Sequence, residues 1–381
     1  MIIHTIHHPV SAKNFVEPLV KSLNSRGVKT ELWLENREDL KDFTSAINCH
    51  KKFAKFDLSF NPFAVLIRLV RMSKHFIKVK PHAIHAHQSR AAFLPLLAAR
   101  IAHIPIRIYH NHGTSYLGYR GILRGLLWML EFLNCSLATH VITVSKSIHK
   151  KMVQYHIVSQ SKCRILGEGS ACGIDLADFA EEKFDRTSMV KDRGKFGISP
   201  DAFVVLYVGR PFRRKGFHTL ISAWQLMDHS KQNNILLIAG CNNDDVTKAT
   251  GTTIKNVVAL GYVENLLPLY AACNIVVLPS LHEGLPYSLL EGAAAGKALI
   301  GSDVPGIDSV INNDNGLLVP VENPTKLAEA LSFLRNNPET RRKMGQASRN
   351  YVERCFDRDA CLKLMLDYYS QIGIMPNCNS A

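Results

Sequence analysis

The sequence predicts two α/β domains in tandem, each a doubly wound, mostly parallel sheet covered by helices on both faces. Three observations carry this reading. The chain has 381 residues, more than one ordinary core of about 100 to 200 residues. Short apolar runs bounded by turn residues alternate with helix-period segments through nearly its whole length, the rhythm of β-α-β units. That rhythm lapses once, around residues 171–200, and then restarts. The predicted organisation is an N-terminal domain over 1–170, a linker over 171–200 rich in Gly, Asp and Lys, and a C-terminal domain over 201–356. A helix near 357–373 is expected to pack back on the first domain. A cleft between the domains, faced by strand C-termini of both, is the expected ligand site.

In the first half, strands are predicted at 1–7, 28–34, 82–87 (HAIHAH), 105–111 (PIRIYHN) and 139–144 (THVITV), with helices near 14–25, 61–78, 89–103, 120–137 and 146–155. In the second half, strands are predicted at 203–209 (FVVLYVG), 234–239, 256–260, 274–278 (NIVVL), 298–301 and 316–319. These runs are continuously apolar and β-branched, as strands buried on both faces must be. Helices are predicted near 216–227, 265–272, 286–296, 323–336, 338–355 and 357–371, and residues 373–381 read as a frayed tail.

Composition excludes collagen-like, disordered and disulfide-framework chains, since 46% of residues are hydrophobic and 20% charged. The nine cysteines, at 49, 135, 163, 172, 241, 273, 355, 361 and 378, are scattered without a C-x-x-C pair. They fit a reducing cytosol rather than disulfides or structural zinc. The N-terminus MIIHTIHHPV lacks the basic and apolar regions of an export signal, and no stretch reaches about 18 uninterrupted apolar residues. A cytoplasmic protein, peripheral on the inner face of the cytoplasmic membrane, is expected.

The net charge of +14 calls for an anionic partner. Residues 1–190 hold 26 Lys/Arg against 14 Asp/Glu, whereas 191–381 hold 20 against 18, so the excess belongs to the first half. Residues 51–80 contain eight Lys/Arg and one Asp with apolar residues at helical spacing. Together with 116–132, which carries Arg120, Arg124 and Trp128, this segment suits an anionic membrane surface, the alternative being ordinary helices with solvated basic faces. No known nucleic-acid-binding module is recognisable, and nucleic acid is not an expected partner.

Two stretches suggest chemistry. In LPSLHEGLPYSLLEGAAAG (278–296) a strand ends, and Pro286 stands where a helix begins, a position that tolerates its missing N–H. The amides of 284–288 then face an anion site, and Glu283 and Glu291, eight positions apart, can accept from hydroxyls at two ends of one bound molecule. In YVGRPFRRKG (207–216) a strand delivers Gly209 and Arg210, and Lys215 precedes the next helix. A guanidinium and an ammonium at such a turn can clamp a departing pyrophosphate. Arg213 and Arg214 read as solvated neighbours.

G-R-x4-K-G at 209–216 and E-x7-E at 283–291, in this order, together resemble the retaining glycosyltransferases of family four, which have the two-Rossmann GT-B architecture. GID at 173–175 resembles that family's interdomain junction. The resemblance implies a nucleotide-diphosphate sugar donor, a UDP-sugar favoured, bound mainly by the second domain. It implies Arg210 and Lys215 on the diphosphate, Glu291 on the ribose, Glu283 on sugar hydroxyls and the backbone of Gly284, Leu285 and Pro286 on sugar or phosphate. The stretch Gly261–Glu264, with Val263, would lie along the base. His112, in YHNHGTSYLG (109–118), matches the family's catalytic-site His, with His110 competing for that role. The reaction implied is transfer of a hexose or N-acetylhexosamine onto a lipid-diphosphate-linked saccharide in surface polysaccharide assembly, of O-antigen or capsule type.

Where many relatives have a glycine-rich loop after the first strand, this chain reads HHPVSAKNF. The loop is therefore expected on the acceptor side, with Ser11, Lys13 and Arg120 as candidate acceptor contacts. His85-x-His87 and His110-x-His112 each put two imidazoles on one strand face, but no carboxylate or thiolate stands at familiar spacing, and no metal is expected. Asp357-x-Asp359 reads as a helix cap rather than a metal motif. No cofactor is expected. A nucleotide-sugar epimerase on the same fold, or a sugar-nucleotide-binding subunit without turnover, are the alternative functions.

Overall fold

The computed structural model describes residues 1–35, 49–56, 61–227, 233–252 and 254–376. Residues 57–60 of the basic segment and 377–381 of the expected tail, Cys378 included, lie outside the described residues. The chain divides into two compact units, Met1–Gly173 with Arg358–Ala381, and Ile174–Asp357.

The first unit holds β1 (Ile2–Ile6), β2 (Thr30–Leu34), β3 (Lys51–Phe53), β4 (Ala83–His87), β5 (Ile106–Asn111), β6 (His140–Thr143) and β7 (Cys163–Ile165). They form one sheet in the order β3-β2-β1-β4-β5-β6-β7, every neighbouring pair parallel. The order reverses between β1 and β4, which makes their C-terminal ends the switch point of the sheet. Around it lie α1 (Pro9–Phe15), α2 (Glu17–Ser25), α3 (Pro62–Val79), α4 (Ser89–Ile101), α5 (Gly121–Leu137) and α6 (Lys146–Gln154).

Alternation along β1 shows why these strands read as continuously apolar. Ile2 packs with Leu19, Leu23, Ile108 and with Met365, Leu366 and Tyr369 of the C-terminal helix (Arg358–Gln371), while Ile3 packs on the opposite face with Trp33, Phe76, Ile84 and Leu94. β3 and β7, short edge strands carrying Lys51, Lys52 and Arg164, escaped the sequence reading because three residues interrupted by charge hold no readable apolar run. The expected loop after β1 is corrected as well. Pro9 at the first helical turn starts α1 at once, so Ser11 and Lys13 stand within a helix, Lys13 exposed in its last turn.

In the second unit β8 (Phe203–Val208), β9 (Asn234–Ala239), β10 (Val257–Ala259), β11 (Ile275–Leu278), β12 (Ala298–Ser302) and β13 (Gly316–Val319) form a parallel sheet in the order β10-β9-β8-β11-β12-β13, with its switch point between β8 and β11. Its helices are α7 (Arg186–Lys195), α8 (Phe217–Leu226), α9 (Asn243–Thr250), α10 (Leu267–Ala272), α11 (Tyr287–Ala294), α12 (Pro324–Asn336) and α13 (Pro338–Cys355). The expected linker over 171–200 is not a bare connection. It holds 3-10 turns at 176–179 and 181–183 and the whole of α7, capped by Asp185, whose carboxylate accepts from the Ser188 amide at 2.7 Å. α7 has no apolar stripe to betray it. Its anchor is instead Arg193, fully buried, which donates to the Ala272 carbonyl and the Asn274 side chain at 2.9 Å each.

Candidate active site

The turn after β8 is positioned by a glycine. Gly216 has φ +69°, and a Cβ there would stand 1.8 Å from the Pro279 carbonyl oxygen, so no other residue lets the turn close on the end of β11. The Leu281 amide donates to the Arg214 carbonyl at 2.9 Å and ties the same two loops together. The consequence is a direct ion pair: Lys215 Nζ lies 2.6 Å from Glu283 Oε1, with the carboxylate side chain 9% and the lysine 21% exposed. Burial raises the Glu283 carboxyl, but the ammonium and its hydrogen bond outweigh it and hold the group below the ordinary range, hence ionised. Gly306, absent from the sequence reading, brings the loop after β12 onto this pair's backbone. It has φ +94°, and a Cβ there would meet the Gly284 carbonyl at 2.4 Å.

Gly284, Leu285 and Pro286 follow Glu283 directly, with Pro286 in the cap position of α11. Glu291 sits farther along that helix and takes the Tyr270 hydroxyl at 2.7 Å, and its burial pushes the carboxyl up to about 7. Arg210 is exposed, its guanidinium 4.9 Å from the centre of the Phe212 ring. Val263, half-buried, lies in the loop after β10, which is joined to the loop after β9 by the Gly240 amide donating to the Gly261 carbonyl at 2.6 Å. Arg213 is engaged with Glu322 at 2.7 Å. The structure thus brings Lys215 and Glu283 into contact at the β8/β11 switch point, with Gly284–Pro286 beside them.

In the first unit the strand register gathers histidines. His4 on β1 is the partner of His85 on β4, and His87 that of His110 on β5, while His85/His87 and His110/His112 repeat at a spacing of two. His87 Nδ1 lies 3.1 Å from His112 Nε2, and His4 Nδ1 3.3 Å from His87 Nε2. His85 Nδ1 faces the Tyr369 hydroxyl. His110 is fully buried, whereas His112 is half-buried and packs on Phe15. Burial holds His112 neutral, its imidazole pushed down to about 3.

Glu131 on α5 was also missed, as one acidic residue in an apolar helix. Its carboxyl accepts from Tyr109 at 2.6 Å, from Asn111 at 3.0 Å and from Ser89, and Asn111 in turn accepts the Gly113 amide at 2.9 Å, bracketing His112. Burial pushes the Glu131 carboxyl up to about 7. Arg120 is exposed at the cap position of α5. Among the described residues, no helix is long and apolar enough to cross a membrane.

Two family models match the chain in succession, Glycosyltransferase Family 4 over residues 12–171 and Glycosyl transferases group 1 over 189–351. The chain is 27% identical over 343 residues to the capsular polysaccharide biosynthesis glycosyltransferase CapM of Staphylococcus aureus, with 88% of each chain covered. It is 26% identical over 350 residues to the N,N'-diacetylbacillosaminyl-diphospho-undecaprenol alpha-1,3-N-acetylgalactosaminyltransferase of Campylobacter jejuni, covering 88% of this chain and 89% of that one. Among solved structures, HepE of Anabaena in complex with UDP and glucose superposes with a TM-score of 0.79 at 16% identity, covering 97% of this chain and 99% of that one. WaaG, a glycosyltransferase involved in lipopolysaccharide biosynthesis, superposes with a TM-score of 0.72 at 15% identity, covering 97% and 99%. The fold is GT-B, and the chain belongs to the glycosyltransferases that carry a family-four domain followed by a group 1 domain.

Proposed function

We propose that this glycosyltransferase moves a hexose or N-acetylhexosamine, with retention and without a metal at the diphosphate, from a UDP-sugar to a lipid-diphosphate-linked saccharide in surface polysaccharide assembly. The observation that carries the reading is the Lys215–Glu283 pair at the β8/β11 switch point. Lys215 and Arg210 would neutralise the diphosphate, and Glu283, kept ionised by Lys215, would accept from donor sugar hydroxyls. Glu291 would take the ribose, the amides of Gly284 and Leu285 the sugar or phosphate with Pro286 fixing their turn, and Val263 would line the base. His112, neutral, would hydrogen-bond a substrate hydroxyl, and Ser11, Lys13 and Arg120 would lie on the acceptor side. In the step itself the acceptor oxygen bonds to the anomeric carbon as the carbon–oxygen bond to the diphosphate breaks. The departing phosphate keeps that electron pair and takes the acceptor proton.

The acceptor and membrane side is supported by α3, α4 and α5, which pack side by side. Phe63, Leu66, Ile67 and Val70 on α3 and Ile122, Leu123, Leu126 and Met129 on α5 are exposed, and Arg71, Lys74, Lys78 and Arg124 stand among them. Such a face suits the headgroup region of an anionic bilayer and a cytoplasmic, peripheral location. Incubation of purified protein with bacterial membranes and a panel of labelled UDP- and GDP-sugars tests the proposal. Label entering the lipid fraction supports it; a donor epimerised without acceptor, or bound without turnover, contradicts it.

A further inference from the structure

We propose that His87, His110 and His112 form a tri-histidine site for a divalent late first-row metal ion, zinc foremost, with His4 as the residue that orients His87. One ligand atom from each of the three falls within 4.8 Å of the others. The His87 Nδ1 to His112 Nε2 separation of 3.1 Å is close to the edge, about 3.3 Å, of a tetrahedron with bonds of about 2.0 Å to imidazole nitrogen. His110 Nδ1 and Nε2 are both buried without a hydrogen-bond partner, a costly state for polar atoms that a bound cation relieves at one of the two. Three imidazoles without thiolate or carboxylate select zinc, nickel, cobalt or copper over calcium or magnesium, and leave a fourth position for an oxygen ligand.

His4 supplies the support that ligating histidines need. With His87 Nε2–H donated to His4 Nδ1 at 3.3 Å, the lone pair of His87 Nδ1 is free to ligate. Half-buried His112 gives the site an opening that the competing group, His4, His85 and His87, lacks, since all three of those rings are buried. In that group His85 Nδ1 is also occupied by Tyr369. The sequence reading paired these histidines two by two and expected no metal. What it lacked was the register of three parallel strands.

The test uses tag-free full-length protein stripped with a chelator and titrated with Co2+ and then Zn2+. One equivalent of Co2+ with the ligand-field spectrum of a four-coordinate nitrogen site is expected, displaced by Zn2+ at equal stoichiometry. X-ray absorption on the zinc form should count three imidazoles. His110→Asn should weaken binding at least about tenfold, and His4→Phe about 10- to 100-fold. Failure of folded wild type to retain either ion, an imidazole count below three, or unchanged affinity in a folded His110→Asn variant overturns the site. Should that variant not fold, His112→Asn, at the half-buried ligand that the competing group does not contain, takes its place with the same two outcomes.

Discussion

Lys215 Nζ lies 2.6 Å from Glu283 Oε1, and each group owes its state to the other. Glu283 is buried yet ionised because the ammonium is there, and the ammonium is held at the switch point because Glu283 is there. Lys215→Ala and Glu283→Ala are each expected to lower kcat by about 10²- to 10³-fold while the circular dichroism of the fold persists. Lys215→Ala also leaves a charge without its partner and should cost about 3 kcal/mol, part of which Lys215→Met with Glu283→Gln restores without restoring transfer. Initial rates and denaturant titrations check both. The sign with pH follows from the lowered carboxyl: the pair stabilises above the ordinary glutamate range and is lost as pH falls through the folded value.

Glu291 makes a second pH-dependent statement. Its carboxyl, pushed up by burial to about 7, is largely protonated at pH 6 and ionised at pH 8. A carboxylate accepting ribose hydroxyls should therefore bind the donor more tightly as pH rises through about 7. Calorimetric titration with UDP at the two pH values is expected to show this gain, and Glu291→Gln is expected to flatten it.

Glu131 bears on stability. With its carboxyl raised to about 7, the folded state holds a proton that the unfolded chain releases above about 4.5. Stability should then fall by about 3 kcal/mol as pH climbs from about 4.5 through 7. Glu131→Gln, which keeps the shape without the charge, should remove that fall. Because Asn111 and Gly113 hang from this carboxyl, Glu131→Ala should lower turnover through His112 as well as stability.

The apolar face of α3 and α5 gives the fourth prediction. Ile122→Asp with Leu126→Asp should abolish sedimentation with phosphatidylglycerol vesicles, leave UDP affinity unchanged, and slow transfer only when the acceptor is presented in a bilayer. Binding of the double variant equal to wild type would remove the membrane from the account.

Where the sequence was readable, the reason is that burial on both faces makes a parallel strand a continuous apolar run. β9 falls on the expected residues for this reason. The elements that escaped rely on polar devices. α7 is held by Arg193 and α9 by the reciprocal cap of Asn242 and Asp245, neither of which produces a hydrophobic period. The site divides similarly. Lys215 and Glu283 were legible because each stands at a strand-to-helix turn. His4, Gly306 and Glu131 were not, because their meaning lies in which strand or loop comes beside them.

Transfer itself is the most direct test. Purified wild-type protein, a labelled UDP-sugar and an undecaprenyl-diphosphate-linked saccharide should give a lipid-linked product whose new linkage, read by NMR, keeps the anomeric configuration of the donor, while Lys215→Ala gives none. A product of inverted configuration, or turnover undiminished in Lys215→Ala, would contradict the account.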